Sequence, residues 1–121
     1  VSEVYTFLRA RVAVLSMAGI ANNRIVIDPG FGFGKNLDHN LALLRDLSRF
    51  RNAGVAVMAG LSRKSMLGRI TGRQSEERLP ASIAAAVLAV QRGADIVRVH
   101  DVAATRDALA VLAAVEGGAS H

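Results

Sequence analysis

Three short apolar runs, separated by longer segments with helical periodicity, constrain the fold of this chain more than any other feature. Each run is rich in strand-prone residues, and the runs begin about 30 to 40 residues apart. That spacing is typical of right-handed βαβ units around a parallel sheet, and nearly continuous apolar strands are typical of sheets covered on both sides. The pattern predicts an α/β fold in the order α-β-α-β-α-β-α, with strands at 24–28, 55–60 and 95–101.

The segments between these runs carry residues that commonly start or stop helices. Glycine often follows the last residue of a helix, Asp often precedes the first, and Pro is accepted in the first turn. The polar segment 61–78 has room for one short helical turn. The candidate boundaries are Gly19, Gly54 and Gly93 as stops, Asp38 as an N-cap, and Pro80 in a first turn.

The composition of the 121 residues suits one small domain and excludes several classes of protein. The chain contains no Cys, which rules out a disulfide framework and a cysteine nucleophile and fits the reducing cytoplasm that we expect for it. The net charge of +5 is dispersed, and the aromatic residues are only four Phe and one Tyr. We therefore predict no nucleic-acid partner. No apolar run approaches the roughly 18 residues of a membrane span, so no membrane partner is predicted either.

The stretch DPGFGFGKN at 28–36 is rich in glycine but matches neither common phosphate-binding fingerprint. The P-loop pattern G-x-x-x-x-G-K-[ST] would need glycine where Pro29 stands and a hydroxyl where Asn36 stands. The dinucleotide pattern G-x-G-x-x-G fails as well, because its last glycine position holds Phe33 or Lys35. The function of this loop must therefore be inferred from the residues around it.

Polar residues gather where each apolar run ends. Asp28 follows the first run, the SRKS group at 62–65 follows the second, and Arg98, His100 and Asp101 close the third. In parallel α/β folds the carboxyl ends of the strands form the ligand-binding edge. Because strand side chains alternate between faces, Arg98 and His100 should share one face and suit an anion. Each residue alone has an ordinary explanation, such as a turn at Asp28, but their common edge favours a binding site.

Three motifs, in this order and spacing, resemble the carboxy-terminal part of the dihydropteroate synthase family: DPGFGFGK at 28–35, GLSRKS at 60–65 and RVHDV at 98–102. The resemblance implies a (β/α)8 TIM barrel of roughly 250 residues or more. Residues 1–121 would be the C-terminal segment of a single pterin-binding domain and would hold its last three βα units. Strands 1 to 5 would be absent from this chain, which begins with Val1 rather than Met.

The same resemblance implies a transferase of folate biosynthesis, an enzyme class that is the target of sulfonamides. The reaction condenses 4-aminobenzoate with hydroxymethyl-dihydropterin pyrophosphate and releases dihydropteroate and pyrophosphate. The implied cofactor is Mg²⁺, with its ligands mainly in the missing N-terminal part and no metal ligand assigned here. A homodimer is also implied. The isolated segment is expected to be inactive without the other part of the barrel.

Catalytic and pterin-binding roles are assigned by this resemblance to Asp28 and Lys64. The two carboxylate oxygens of Asp28 would accept hydrogen bonds from the pterin ring N–H and its exocyclic amine. Lys64 would contact the pterin beside the aminobenzoate. Arg98 would stack its guanidinium on the pterin and reach phosphate, and His100 would bind the pyrophosphate.

Four further residues are assigned to substrate binding on the same basis. Ser65 would help to bind the aminobenzoate carboxylate, together with nearby backbone N–H groups, and Phe33 would pack against the aminobenzoate ring. Gly32 and Gly60 would let the backbone approach the ligand closely. Lys35, the lysine of the glycine-rich stretch, receives no role.

Two alternatives stand beside this interpretation. A pterin-binding methyltetrahydrofolate domain of a corrinoid methyltransferase would share the barrel and the pterin chemistry. It would have no use, however, for the aminobenzoate and pyrophosphate groups that the SRKS and RVHD motifs are expected to bind. The chain could also be an inactive barrel fragment that covers its open strand edges by pairing with another chain.

Overall fold

The predicted alternation of helices and parallel strands is present in the computed structural model, which describes residues 1–32 and 35–117. The strands are β1 (Val26–Ile27), β2 (Ala56–Ala59) and β3 (Ile96–Val97). The α-helices are α1 (Ser2–Met17), α2 (Leu37–Arg45), α3 (Ser65–Thr71), α4 (Leu79–Gln91) and α5 (Val102–Val115). Short 3-10 turns lie at Asn22–Arg24, Leu47–Ala53 and Ser75–Glu77. The α/β fold class is therefore confirmed.

The sheet is parallel, and its strand order is β1-β2-β3. All three strands are shorter than the predicted runs at 24–28, 55–60 and 95–101. The reason is that β1 pairs only with the first two residues of β2, and β3 only with the last two. Each outer strand is regular only where it overlaps β2, because a ladder needs a partner backbone for its hydrogen bonds.

Two helices end as predicted, at glycines in the left-handed conformation. Gly19 (φ +96°) follows α1, and Gly93 (φ +103°) follows α4. After each glycine, the N–H of the next residue donates to the carbonyl five residues earlier, at 3.1 Å and 3.0 Å respectively. This is the Schellman arrangement, in which glycine is favoured because it has no Cβ. Pro80 lies in the first turn of α4, also as predicted.

The second helix differs from the prediction at both ends. Its N-cap is Asn36, whose side-chain oxygen accepts from the His39 N–H at 2.8 Å, and Asp38 instead lies in the first turn, near the positive end of the helix dipole. The predicted N-cap at Asp38 was therefore wrong. The α-helix also stops at Arg45, and the following 3-10 turn carries the chain to Gly54 (φ +77°).

The two faces of the sheet differ strongly in burial. Ile27, Val57 and Ala59 are at most 5% exposed and belong to the core under the helices. Val26 and Ile96, on the other face, are 45% and 42% exposed. The largest fully buried side chains are Phe31, Leu43, Leu47, Phe50 and Val57. Among the described residues, no helix is both long and apolar enough to cross a membrane.

Candidate functional site

The carboxyl ends of β2 and β3 open into a cleft of about 320 Å³. Its lining residues are Gly60, Ser62, Lys64, Arg98, Val99 and His100. Arg98 and His100 are exposed, whereas Val97 and Val99 are half-buried, as the predicted alternation requires. The structure thus brings four of the predicted site residues to one cavity at the expected edge of the sheet.

The glycine-rich loop after β1 is fixed largely through its own backbone. Asp28 Oδ1 accepts from the Gly30 N–H at 2.8 Å, a common arrangement for Asp in a turn. Asn40 of α2 is 3% exposed, and its Oδ1 accepts from the Gly32 N–H at 2.9 Å. Phe31 lies in the hydrophobic core. These contacts hold half-buried Asp28 at the end of β1, where the sequence predicted it.

Both lysines of the chain donate to carbonyls of this loop. Lys35 Nζ lies 3.0 Å from the Gly30 oxygen, and Lys64 Nζ lies 2.6 Å from the Phe31 oxygen. Lys35 therefore has a structural contact that the sequence did not reveal. Lys64 links the loop after β1 to the loop after β2, and a Cβ added to Gly32 (φ +89°) would lie 3.6 Å from Lys64 Cδ. That distance is an ordinary van der Waals contact, so glycine is favoured here by its positive φ rather than by the lysine side chain.

The ammonium group of Lys64 lies in an environment that disfavours its charge. Burial lowers the pKa of Lys64 below its ordinary value of 10.5, and the positive charges of Arg98 and Lys35 lower it further. The carboxylate of Asp28 acts in the opposite direction. Asp28 and Arg98 follow β1 and β3, so their charges act on Lys64 from the ends of the two neighbouring strands. The three predicted residues therefore form one charged group that spans the ends of all three strands.

Lys64 is directed into the cleft by an unusual turn. The Lys64 N–H donates to the Leu61 carbonyl at 3.2 Å, and Arg63 within this turn has φ +55°, the only positive φ of a non-glycine residue in the described part of the chain. The Arg63 guanidinium forms a two-point contact with Asp101, at 2.7 Å and 3.3 Å. Its backbone N–H donates to Ser82 Oγ at 2.8 Å. These contacts hold a conformation that costs an arginine about 1 kcal/mol or more.

Arg98 lies directly over Gly60. A Cβ added to Gly60 would come within 2.9 Å of Arg98 Nη2 and 3.1 Å of Nε. Such distances are shorter than van der Waals contact, so a side chain at position 60 would displace the guanidinium. The absence of a side chain at Gly60 therefore leaves space for the Arg98 guanidinium. This role is separate from the close approach of the backbone to a ligand that the sequence predicted.

His100 is held by Ser62, a residue of the loop after β2. Ser62 Oγ lies 2.9 Å from His100 Nδ1 and accepts from the His100 backbone N–H at 3.2 Å. Ser62 is only 8% exposed, whereas His100 lines the cleft and is exposed. One edge of the imidazole is thus fixed against the protein, and the other edge is available to a ligand.

Three described residues of the predicted site, Asp28, Gly32 and Ser65, are not among those that line this cleft. Ser65 is exposed and is the first residue of α3. Phe33 lies outside the described residues. Within residues 1–32 and 35–117, no group of three or more His, Cys, Asp or Glu side chains is placed to hold a metal ion. No magnesium ligand is therefore assigned to a described residue, and the expectation that such ligands lie mainly in the missing N-terminal part stays a prediction.

Sequence reasoning missed four residues that shape this site. Ser62 and Arg63 lie in the predicted SRKS group, and Asp101 ends the third run, so their loops were identified but their contacts were not. The only feature of the sequence that distinguishes Asn40 is its position among the buried residues of α2. A polar residue among the apolar positions of a helix next to a glycine-rich loop could have identified it, because a buried amide must find a partner.

Comparison with known proteins identifies close relatives. Residues 1–100 match the family model described as pterin binding enzyme. The dihydropteroate synthase of Neisseria meningitidis serogroup B is 52% identical over 115 residues, which is 92% of this chain and 40% of that protein. The dihydropteroate synthase of Haemophilus influenzae is 48% identical over 111 residues, with the same two shares. The chain thus spans about 40% of the length of the curated relatives that it matches.

The fold is shared with a solved enzyme. A dihydropteroate synthase from Xanthomonas albilineans, solved in complex with 7,8-dihydropteroate, superposes with a TM-score of 0.93 and 54% sequence identity. The superposition covers 96% of this chain and 45% of that one. The three-stranded parallel sheet described above therefore corresponds to part of a larger TIM-barrel enzyme.

Proposed function

The chain belongs to the family of pterin-binding enzymes, and on that basis we propose that it forms part of the active site of a dihydropteroate synthase. The observation that carries the proposal is the convergence of Lys64, Arg98 and His100 on one cleft. The carboxylate of Asp28, at the end of β1, raises the pKa of Lys64 against the effect of burial. The relative from Xanthomonas albilineans binds 7,8-dihydropteroate, which is the product that this reaction would release.

The proposed reaction transfers the pterin methylene carbon from pyrophosphate to the amine nitrogen of 4-aminobenzoate. The C–O bond to pyrophosphate breaks, the C–N bond forms, and the amine loses a proton. A departing polyanion needs preorganised donors and positive charge. Lys64, Arg98 and His100 supply them in this cleft, and Asp28, with two acceptor oxygens, would fix the N–H groups of the pterin.

For three further residues the proposal rests on the sequence motifs. Ser65 and Phe33 would bind the aminobenzoate. Gly32 has no side chain, so the protein backbone at this position would approach the ligand closely. The described residues contain no group of three or more His, Cys, Asp or Glu side chains that could hold a metal ion, and no step of this mechanism is assigned to magnesium. The family resemblance implies Mg²⁺ ligands mainly in the missing N-terminal part of the barrel.

The partner of this chain would be the rest of the barrel. We propose that residues 1–121 form the C-terminal segment of one pterin-binding domain, whose first five strands cover the open face of the sheet at Val26 and Ile96. The whole enzyme would be a cytoplasmic homodimer, as its family resemblance predicts. The isolated segment would be inactive, since it lacks the strands that complete the cavity.

The test is an assay of dihydropteroate formation by the complete protein that carries this chain. We expect turnover of 4-aminobenzoate and the pterin pyrophosphate, and competition by a sulfonamide against 4-aminobenzoate. Asp28→Ala should lower pterin affinity strongly, whereas Asp38→Ala, a matched change in an exposed helical turn, should not. Binding of methyltetrahydrofolate without turnover or sulfonamide competition would instead favour a methyltransferase domain and overturn the proposal.

A further inference from the structure

Ser62 contacts both the backbone N–H and the ring nitrogen Nδ1 of His100. The backbone N–H of His100 can only donate, so Ser62 Oγ is the acceptor of that bond at 3.2 Å. The second contact, 2.9 Å to Nδ1, joins two groups that can each donate or accept. Two arrangements are therefore possible, with the proton of this bond on the hydroxyl or on the ring.

Satisfaction of the buried hydroxyl distinguishes the two arrangements. If Nδ1–H donated to Ser62, the hydroxyl hydrogen would have no acceptor among the described residues and would have to turn from the largely buried Ser62 toward the cleft. If the hydroxyl donates to Nδ1, the hydroxyl hydrogen, Nδ1 and the backbone N–H of His100 are all paired within the protein, and only Nε2–H is left to face the cleft. Because an unsatisfied buried donor is costly, we infer that Ser62 holds neutral His100 in the tautomer with its proton on Nε2.

This tautomer matters for what the cleft can bind. With Nδ1 engaged by Ser62, the opposite ring nitrogen is the one available to a ligand in the cleft. Nε2–H is a donor, so neutral His100 presents the same polarity to a ligand as Lys64 and Arg98. In the other tautomer a lone pair would face the ligand and would repel an anion.

Ser62 is therefore a positioning residue for anion binding. It does not need to touch the substrate, since it acts through the imidazole. The connection to pyrophosphate rests on the proposed synthase function, whereas the tautomer itself follows only from the geometry of Ser62 and His100. Failure of one part can thus be distinguished from failure of the other.

The experiment is ¹⁵N NMR of the histidine ring nitrogens in the complete protein, at a pH where His100 is neutral. The chain has three histidines, and His100→Gln identifies the signals of His100. We expect a protonated Nε2 and an unprotonated Nδ1. In Ser62→Ala we expect a shift toward a mixture of tautomers, and in Ser62→Thr, which keeps the hydroxyl, a return to the Nε2–H form.

Pyrophosphate binding links this tautomer to function. The dissociation constant of pyrophosphate should rise about tenfold in Ser62→Ala, with rescue by Ser62→Thr and little change in affinity for 4-aminobenzoate. A proton on Nδ1 in the unaltered protein would overturn the inference even if no variant folded. An unchanged tautomer in a folded Ser62→Ala would show that Ser62 does not set it. The expected tautomer without synthase activity would uphold the inference and refute the proposed function.

Discussion

Gly60 is the residue whose smallness has the most specific consequence. Its missing side chain leaves the space in which the Arg98 guanidinium lies. We expect Gly60→Ala to displace Arg98, because the added Cβ would come within 2.9 Å of Nη2. The exposed end of an arginine can move, so the fold should be retained. Pyrophosphate affinity, measured by titration calorimetry, should fall about tenfold with the loss of a charge-assisted contact.

Gly72 provides a matched control for this substitution. It has φ +76° and no atoms within 4 Å of an added Cβ, so alanine there meets backbone strain and no neighbour. Gly72→Ala should therefore cost about 1 kcal/mol of unfolding free energy and leave pyrophosphate affinity unchanged. Equal binding by the Gly60 variant and the unaltered protein would show that Arg98 does not contribute to the anion site.

At Lys64 the lowered pKa makes stability depend on pH. Between the lowered pKa of the folded state and the ordinary value of 10.5, the unfolded chain binds more protons at this site than the folded one. Stability contributed by Lys64 should therefore rise as pH increases through that interval, and should be lowest below it. Denaturation of the complete protein and of Lys64→Met from pH 7 to 10.5 gives the free energy of unfolding of each. As pH rises, we expect the free energy of unfolding of the unaltered protein to increase relative to that of the variant.

The corresponding control is Lys64→Arg, which keeps a positive charge over the whole interval because guanidinium does not lose its proton there. The unaltered protein should gain stability relative to this variant with rising pH as well. A pH-independent difference in both comparisons would mean that the environment of Lys64 does not disfavour its charge.

At the scale of elements, the turn between β2 and α3 stores strain in Arg63. The side chain of Arg63 contacts Asp101, while its backbone has φ +55°. Arg63→Ala and Arg63→Gly both remove the ion pair, but only glycine also removes the backbone strain. We expect the glycine variant to be more stable than the alanine variant by about 1 kcal/mol, as measured by urea denaturation of the complete protein.

Arg73 is the control for that comparison. It is exposed, pairs with Glu77 at 3.9 Å, and does not have a positive φ. Arg73→Gly should therefore be no more stable than Arg73→Ala. An advantage of glycine at both positions would point to a general effect on the chain rather than to strain at Arg63.

How far the sequence predicted these elements depends on how local their causes are. The glycine stops at Gly19 and Gly93 were predicted correctly because a left-handed residue after a helix is a local requirement. The N-cap was misplaced because Asn36 and Asp38 are both good caps and only the path of the loop decides between them. The hydrogen bonds between Ser62 and His100 join residues that are 38 positions apart in the sequence, and they depend on the alignment of β2 with β3. A single sequence does not reveal that alignment.

At the scale of the whole molecule, the sheet has one covered and one open face. Val26 and Ile96 are substantially exposed, and within residues 1–32 and 35–117 the outer strands β1 and β3 each have a neighbour on one side only. We expect residues 1–121 expressed alone to self-associate, because open apolar strands are templates for pairing. Co-expression with the preceding segment of the complete protein should give a defined complex with synthase activity. Sedimentation analysis measures the association state of the isolated chain and of the co-expressed complex.

Matched variants sharpen this experiment. Val26→Thr and Ile96→Thr make the open face more polar and keep the branching that strands favour, so they should reduce self-association of the isolated chain. A change of Met17, which is 90% exposed on α1, to Thr should not. An isolated chain that is monomeric and unfolds cooperatively would contradict the view that the sheet lacks its natural cover.

The bond from Lys64 to the Phe31 carbonyl has a consequence for selectivity. An incoming ligand does not meet a solvated cation at this point but an ammonium already engaged by a peptide oxygen. To recruit that proton of Lys64, a ligand must exchange with the carbonyl, so only a better acceptor than an amide gains from the contact. Anionic oxygens meet this condition, whereas neutral hydroxyls and ethers do not. The loop carbonyl therefore competes for one of the three N–H donors of Lys64, and at that donor it favours anionic oxygens over weaker acceptors.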